Sequence, residues 1–329
     1  MNPNMKKQIT SFEFRRLAMV VIKPLMSVLV VIALIASLPE LISSTVTQVT
    51  GADPTLYMQP VTDKLTKYMT TGDAGLFGLD KDAGSSDVTE AYSEEMNTAL
   101  MTFMQEKGQI FIPMMLLNLL LTPALSILLT HSLISAVRRE EVSLAGALRM
   151  LRYSPKALLL QLWTLVRMYA WMLPGMAVMF AGLLPVMIQP TVTSVMISLL
   201  LMLVGMAVSL VLGIRAMMHY CLAPIALAED PSLSVNACIR ASWQVMRHRK
   251  MEYFFLEVSF IGWHLLSTLV LLMATLMLGT VIGSAVGMMA NLLLSVYIST
   301  AQVIFYLAYA DKLGDAVEQV PEDADGMLN

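Results

Sequence analysis

The chain has 329 residues, of which 57% are hydrophobic and 14% charged, against roughly 45–50% and 25% in an average soluble domain. That balance excludes an ordinary soluble enzyme and a disordered chain, and a formal net charge of -3 with no basic excess excludes a nucleic-acid binder. A lipid bilayer is the solvent that suits such a composition. Two cysteines, Cys221 and Cys238, are too few to frame a disulfide-stapled fold and read as reduced structural thiols. The 29 methionines read as flexible gap-fillers of apolar packing rather than a soft-metal surface.

A spanning helix needs about 20 predominantly apolar residues. Runs of that kind predict six spans, at 17–38, 109–137, 168–188, 191–214, 257–278 and 287–309. In the first, Lys23 and Pro24 fall near one end, where a lysine can snorkel into the headgroups. Gln189-Pro190 predicts the turn between the third and the fourth. Residues 258–310 contain no Asp, Glu, Lys or Arg; as one straight helix they would measure roughly 80 Å, far beyond a core of about 30 Å. They must fold back once, and Gly279 to Gly287 predicts where.

Cytoplasmic loops carry the excess of Lys and Arg. With the N-terminus inside, that side receives Lys6, Lys7, Arg15 and Arg16, the basic residues of 138–156 and 215–256, and Lys312. The outer side receives only Lys64, Lys67, Lys81 and Lys107. Both termini are therefore expected in the cytoplasm, the first apolar run being a retained span rather than a cleaved signal, and the chain is expected in the cytoplasmic membrane. The outer loop, 39–108, is rich in acids, and its few aromatics make too thin a core for an independent domain. Its middle, Asp80 to Glu90, reads as flexible, while Met96, Leu100, Phe103 and Met104 recur at helical spacing.

Two inner segments predict amphipathic helices lying at the interface. In 142–151 apolar residues alternate with Arg149, with Arg152 just beyond. In the second, Ser234 is the expected N-cap, and Val235, Cys238, Ile239, Ser242, Val245 and Met246 share one face before the basic run Arg247-His248-Arg249-Lys250. That run reads as a positive-inside anchor. An acidic tail, 311–329, follows the last span.

No H-E-x-x-H, G-x-S-x-G, Walker A or dinucleotide fingerprint occurs, and His131, His219, His248 and His264 lack ligand spacing. No catalytic, cofactor or metal site is expected. The remaining signal is ionisable residues at membrane depth, which are costly and usually face a partner or a wet cavity. Arg167, Arg215 and Glu257 border the third, fourth and fifth runs at matching depth, so Glu257 is expected to pair with one of the arginines as a strut or a gate. His264 lies seven residues after Glu257, on nearly the same face but about 10 Å further along, too far for a direct bond; a neighbouring helix is expected to satisfy it. Gly279, Gly283 and Gly287 form a small-x-x-x-small series that suits close helix approach or a turn. Pro113, Pro123 and Pro174-Gly175 predict kinks.

The C-terminal third carries Tyr220-Cys221-Leu222-Ala223-Pro224, Ala228-Glu229-Asp230-Pro231, then Ala237, Ile239, Ser242 and Met246. Next come Ser259-Phe260-Ile261-Gly262-Trp263, Tyr297 and Phe305-Tyr306. In these strings it resembles a bacterial integral membrane family catalogued as domain of unknown function 975, and is distantly similar to the membrane part of some glycerophosphodiesterases. His248 and Val296 depart from the family pattern. The resemblance implies a multi-helix membrane bundle and supplies no catalytic residues. Together these readings predict an all-α, polytopic transmembrane bundle in one membrane domain, with lipid and a membrane protein complex as partners. The expected role is a non-enzymatic scaffold or accessory subunit, with a permease for a small or lipid-like substrate as the alternative.

Overall fold

The computed structural model describes residues 10–79, 84–188, 192–247 and 249–310. Lys6, Lys7, Lys81, the Gln189-Pro190 turn, His248, Lys312 and the acidic tail lie outside the described residues. Among those described there is no strand. The chain runs through α1 (Ser11–Ile22), a 3-10 turn at Lys23–Leu25, α2 (Met26–Ala36), α3 (Leu38–Thr50) and α4 (Pro54–Thr71). It continues through α5 (Ser85–Val137), α6 (Leu144–Arg149), α7 (Ser154–Ile188) and α8 (Val192–Tyr220). The last elements are α9 (Ala223–Glu229), α10 (Val235–Met246), α11 (Lys250–Val258) and α12 (Ile261–Tyr309). Six helical stretches are long and apolar enough to cross a membrane, so the chain is an all-α membrane-type bundle with the number of spans that its charge-free runs predict.

Helix starts explain where the observed spans outrun the apolar ones. Thr10 caps α1 in a reciprocal capping box with Glu13, the Glu13 carboxylate accepting from the Thr10 N–H at 2.7 Å, so helix begins before the greasy stretch does. Likewise α7 begins at Ser154, well ahead of Met168. Pro24 sits in the 3-10 turn between α1 and α2, where its missing N–H costs little.

The chain forms two compact units. One, Ser37–Thr122, holds the acidic loop 39–108. In this unit Ala74, Phe77 and Val88 are buried, with Tyr68 and Tyr92 edge-on to Phe77, and Phe103 is buried against Tyr57 and Phe111. Polar contacts supplement it, with Lys64 on Glu95 at 2.8 Å and Tyr57 donating to Glu106 at 2.8 Å. The carboxylate beside Tyr57 raises that phenol above its ordinary pKa. The flexibility expected over Asp80 to Glu90 does not hold for its second half, because α5 starts at Ser85 and the Asp87 carboxylate accepts from the Gly84 N–H at its start.

The other unit, residues 1–36 and 123–329, is built on one apolar core running from Phe14 and Ile32 through Leu133 and Leu227 to Phe305 and Leu307. Two helical hairpins dominate it. In α12 the backbone reverses at Gly279, whose φ of 80° and ψ of 169° are open almost only to glycine. The arms then pair about that residue. A Cβ on Gly283 would lie 2.5 Å from the Thr275 nitrogen and one on Gly287 2.9 Å from the Leu271 Cβ, and Ser267 donates to Asn291 at 3.1 Å. The glycine series therefore serves both readings at once, Gly279 as the turn and the next two as the surface of close approach. The second hairpin is α7 with α8, the expected third and fourth spans; its glycine contacts were not foreseen. A Cβ on Gly175 would lie 2.5 Å from the Ser209 nitrogen and one on Gly205 2.6 Å from that of Met179, so small residues let the two backbones meet.

Of the amphipathic segments, α10 forms as expected: Ser234 caps it by accepting from Ala237 at 3.3 Å, and Cys238, Ile239, Ser242 and Met246 are buried. That face is spent on the protein core rather than on lipid. The segment 142–151 contributes only the short α6 and a 3-10 turn, and its Ala147 and Met150 are likewise buried in the core.

Candidate functional site

The residues that carry the family resemblance meet at the end of the bundle bearing the basic loops. Pro224 opens α9, where a proline needs no hydrogen-bond partner, and Ala223, Ile225, Ala226, Leu227 and Ala228 are all buried. This short apolar helix ends on an acid. Glu229 pairs with Arg138, just past the end of α5, at 2.7 Å, its side chain 5% exposed against 32% for the arginine. Tyr306 donates to its other oxygen at 3.3 Å.

Around this pair the backbone of the α9 segment is tied on three sides. His131 approaches the Ala228 carbonyl at 3.2 Å, as an Nδ1–H donor. Lys156 donates to the Pro231 carbonyl at 2.7 Å. Asp230 folds back to accept from the Ser232 N–H at 3.0 Å in an Asx-type turn. Ser242, fully buried, donates to the carbonyl of His219 at 2.8 Å and so locks α10 to α8. Burial also raises the Cys238 thiol above its ordinary pKa.

The second half of the resemblance is an aromatic layer. Phe260 and Trp263 stand edge-on to Tyr297, and Phe305 lies against Phe14, Tyr253 and Tyr309. Ser259 ends α11, and its carbonyl accepts from Arg15 at 3.3 Å, a cation placed where the helix dipole favours one. Ile261 is exposed. A Cβ on Gly262 would meet nothing within 4 Å, so nothing in the structure explains a glycine there.

The expected pairing of Glu257 with Arg167 or Arg215 does not form. Glu257 accepts from Gln302 at 2.8 Å, across the contact with the second arm of α12, which offers an amide where a charge was expected. Arg167 instead donates to Asn236 at 3.1 Å and lies over the Trp163 ring, its guanidinium 5.3 Å from the centroid. Arg215 lies over Trp171 at 5.8 Å. Trp163 donates to the same Asn236 oxygen at 3.0 Å, and Trp171 to the Tyr220 hydroxyl at 3.2 Å. Both arginines thus sit in aromatic, uncharged company. A recess of about 370 Å³ opens beside them, lined by Arg167, Ala170, Trp171, Pro174 and Tyr220.

His264 is exposed in the first turn of α12, so no neighbouring helix covers it. It stands fifteen residues from the Gly279 turn, about 22 Å along the axis, within the membrane-compatible stretch Lys250–Gly279. A further cavity of about 410 Å³ lies between α1 and the end of α5, lined by Leu17, Val21, Pro24, Val137, Arg139 and Glu140 among others. Among the described residues no group of His, Cys, Asp and Glu is placed to hold a metal. Sequence reasoning missed the Arg138–Glu229 pair and the tryptophans. The one available signal for the pair was an acid closing an otherwise apolar run.

Against known proteins, the family model described as Protein of unknown function (DUF975) matches residues 86–312, from the start of α5 to the end of α12. No curated protein and no solved structure matches the chain, and the likeness to glycerophosphodiesterase membrane domains rests on the sequence strings alone.

Proposed function

The chain belongs to the family of unknown function DUF975, and from that premise we propose that it is a non-enzymatic scaffold or accessory subunit of the cytoplasmic membrane, with its basic loops and both termini on the cytoplasmic side. One observation carries this reading. Three polar groups of the family strings are spent on the fold itself: Glu229 on Arg138 and Tyr306, Ser242 on the His219 carbonyl, the Pro231 carbonyl on Lys156. A catalytic or transport site would aim such groups at a cavity. These aim at one another.

The outward faces support the same reading. Only 6% of the most apolar stretch of Lys250–Gly279 is buried, against 56% for Ala285–Tyr309, and Phe180, Leu184, Leu199, Leu200 and Leu210 of the α7–α8 hairpin are exposed. Such faces suit lipid or the helices of another membrane protein. Crosslinking and mass spectrometry of the gently solubilised protein test the proposal. A stoichiometric membrane-protein partner is expected; turnover of a lipid or solute uptake by the purified chain in proteoliposomes would overturn it.

A further inference from the structure

We infer that Arg167, Arg215, Trp163, Trp171, Tyr220 and Asn236 form a binding site for the phosphate headgroup of an anionic glycerophospholipid. The inference rests on the membrane placement proposed above and adds a ligand to it.

The charge arrangement comes first. Among the described residues neither arginine meets an acid: Arg167 lies on the Asn236 oxygen and the Trp163 ring, and Arg215 on the Trp171 ring. Lys64, Arg138 and Arg249, by contrast, each face a carboxylate. A guanidinium has five N–H donors. Arg167 spends one within the chain, on Asn236, and Arg215 spends none among the described residues. Two cations with unused, planar donors are suited to phosphate oxygens, which guanidinium binds in bidentate fashion.

The second element is depth. Arg167 immediately precedes the charge-free run 168–188 and Arg215 immediately follows 191–214. Each run is as long as the hydrocarbon core is thick. The close contacts of Gly175 with Ser209 and Gly205 with Met179 fix the hairpin register so that both arginines come out at one level, the boundary between hydrocarbon and headgroups. Tryptophan and tyrosine concentrate at that level, and both Trp171 and Tyr220 are held there by their mutual hydrogen bond.

The third element is shape. The recess of about 370 Å³ is walled by Arg167, Trp171 and Tyr220 and floored at Ala170 and Pro174. Pro174 stands inside α7 and has no N–H to give the Ala170 carbonyl one turn back. The Trp171 and Tyr220 polar edges line the recess and suit a headgroup hydroxyl, which a glycerol headgroup has and a choline headgroup lacks. Asn236 ties the site to α10, since it accepts from both Trp163 and Arg167. An occupied site would thus brace α10 against the α7–α8 hairpin.

The test uses the full chain in nanodiscs of phosphatidylcholine to which phosphatidylglycerol, brominated on its acyl chains, is added, with quenching of tryptophan fluorescence as the readout. Saturable quenching is expected that brominated phosphatidylcholine does not reproduce. Arg167→Gln and Arg215→Gln are each expected to weaken it roughly fivefold and the double variant about twenty-five-fold, following the attraction of anionic lipid for one basic residue. The pair Arg149→Gln and Arg152→Gln removes the same charge from the same end of the bundle and is expected to leave it within about twofold. Equal loss in the two pairs would reduce the effect to a diffuse basic surface and overturn the site. Saturation by inorganic phosphate in pure phosphatidylcholine discs would assign it to a free anion and overturn the lipid. Should the glutamine pair not fold, Tyr220→Ala, which opens the recess wall and keeps every tryptophan, replaces it with the same expected loss of saturation. None of these failures touches the scaffold reading, which is tested by crosslinking and by turnover or uptake.

Discussion

Removing Arg138 exposes how much the buried latch contributes. The guanidinium stands 2.7 Å from a Glu229 carboxylate that is 5% exposed, while the arginine itself is 32% exposed. Truncating one partner of a fully buried pair costs about 3–5 kcal/mol, mostly by stranding the other charge. Water reaches the arginine side of this pair, so Arg138→Ala is expected to cost about 2–3 kcal/mol. Glu229→Gln keeps an acceptor for Arg138 and turns an amide N–H toward the Tyr306 hydroxyl, which can accept, and is expected to cost about 1–2 kcal/mol. Tyr306→Phe, which removes one long bond, should cost about 0.5–1 kcal/mol. The combination Arg138→Met, Glu229→Leu and Tyr306→Phe deletes charges and donors together, and is expected within about 1 kcal/mol of the parent. Unfolding of the purified protein in mixed SDS micelles, followed by tryptophan fluorescence, reads all four. If the single costs merely add in the combination, or Arg138→Ala costs under about 0.5 kcal/mol, the latch reasoning is refuted.

Three further outcomes follow from local geometry. Gly175→Ala is expected to cost about 2–3 kcal/mol in the same assay, because the new methyl would meet backbone at 2.5 Å and backbone cannot yield as a side chain can; Gly262→Ala, with open space around it, should cost under about 0.5 kcal/mol. Arg139 closes α5 with a φ of 57°, in a Schellman turn where Glu140 donates to the Ser135 carbonyl at 2.9 Å. Arg139→Gly is therefore expected to be neutral or stabilising by up to about 1 kcal/mol and Arg139→Val to destabilise, a difference that equal melting temperatures would contradict. In a Cys221→Ala background, Cys238 should resist maleimide at pH 7, since burial both hides the thiol and raises its pKa. The rate should climb with pH beyond the ordinary thiol range and jump on addition of SDS, and fast labelling of the native protein would show the α10 face to be open.

The spans were legible because membrane insertion selects on composition alone: a stretch without Asp, Glu, Lys or Arg must be buried in something apolar. The reversal at Gly279 was legible for the same reason, as a length no bilayer accommodates. The face of α10 followed from periodicity and a capping serine. What pairs with what was not legible. Glu257 found Gln302, and Arg138 found Glu229 across 91 positions, because such choices depend on the rotation of each helix about its axis, which charge placement leaves open. The α7–α8 contact was hidden because Gly175, following Pro174, reads equally as a kink. The break between α11, which ends at Val258, and α12, which begins at Ile261, was not legible because no proline or charge marks it.

The account rests on which face of the membrane each loop occupies, and single cysteines read that directly. In a Cys221→Ala, Cys238→Ala chain, Thr66→Cys in α4 and Glu141→Cys between α5 and α6, both at exposed positions, are treated in intact cells with a membrane-impermeant maleimide. Labelling at position 66 and none at 141 until the cells are opened is the predicted result. Labelling of 141 from outside, with 66 protected, would contradict the account.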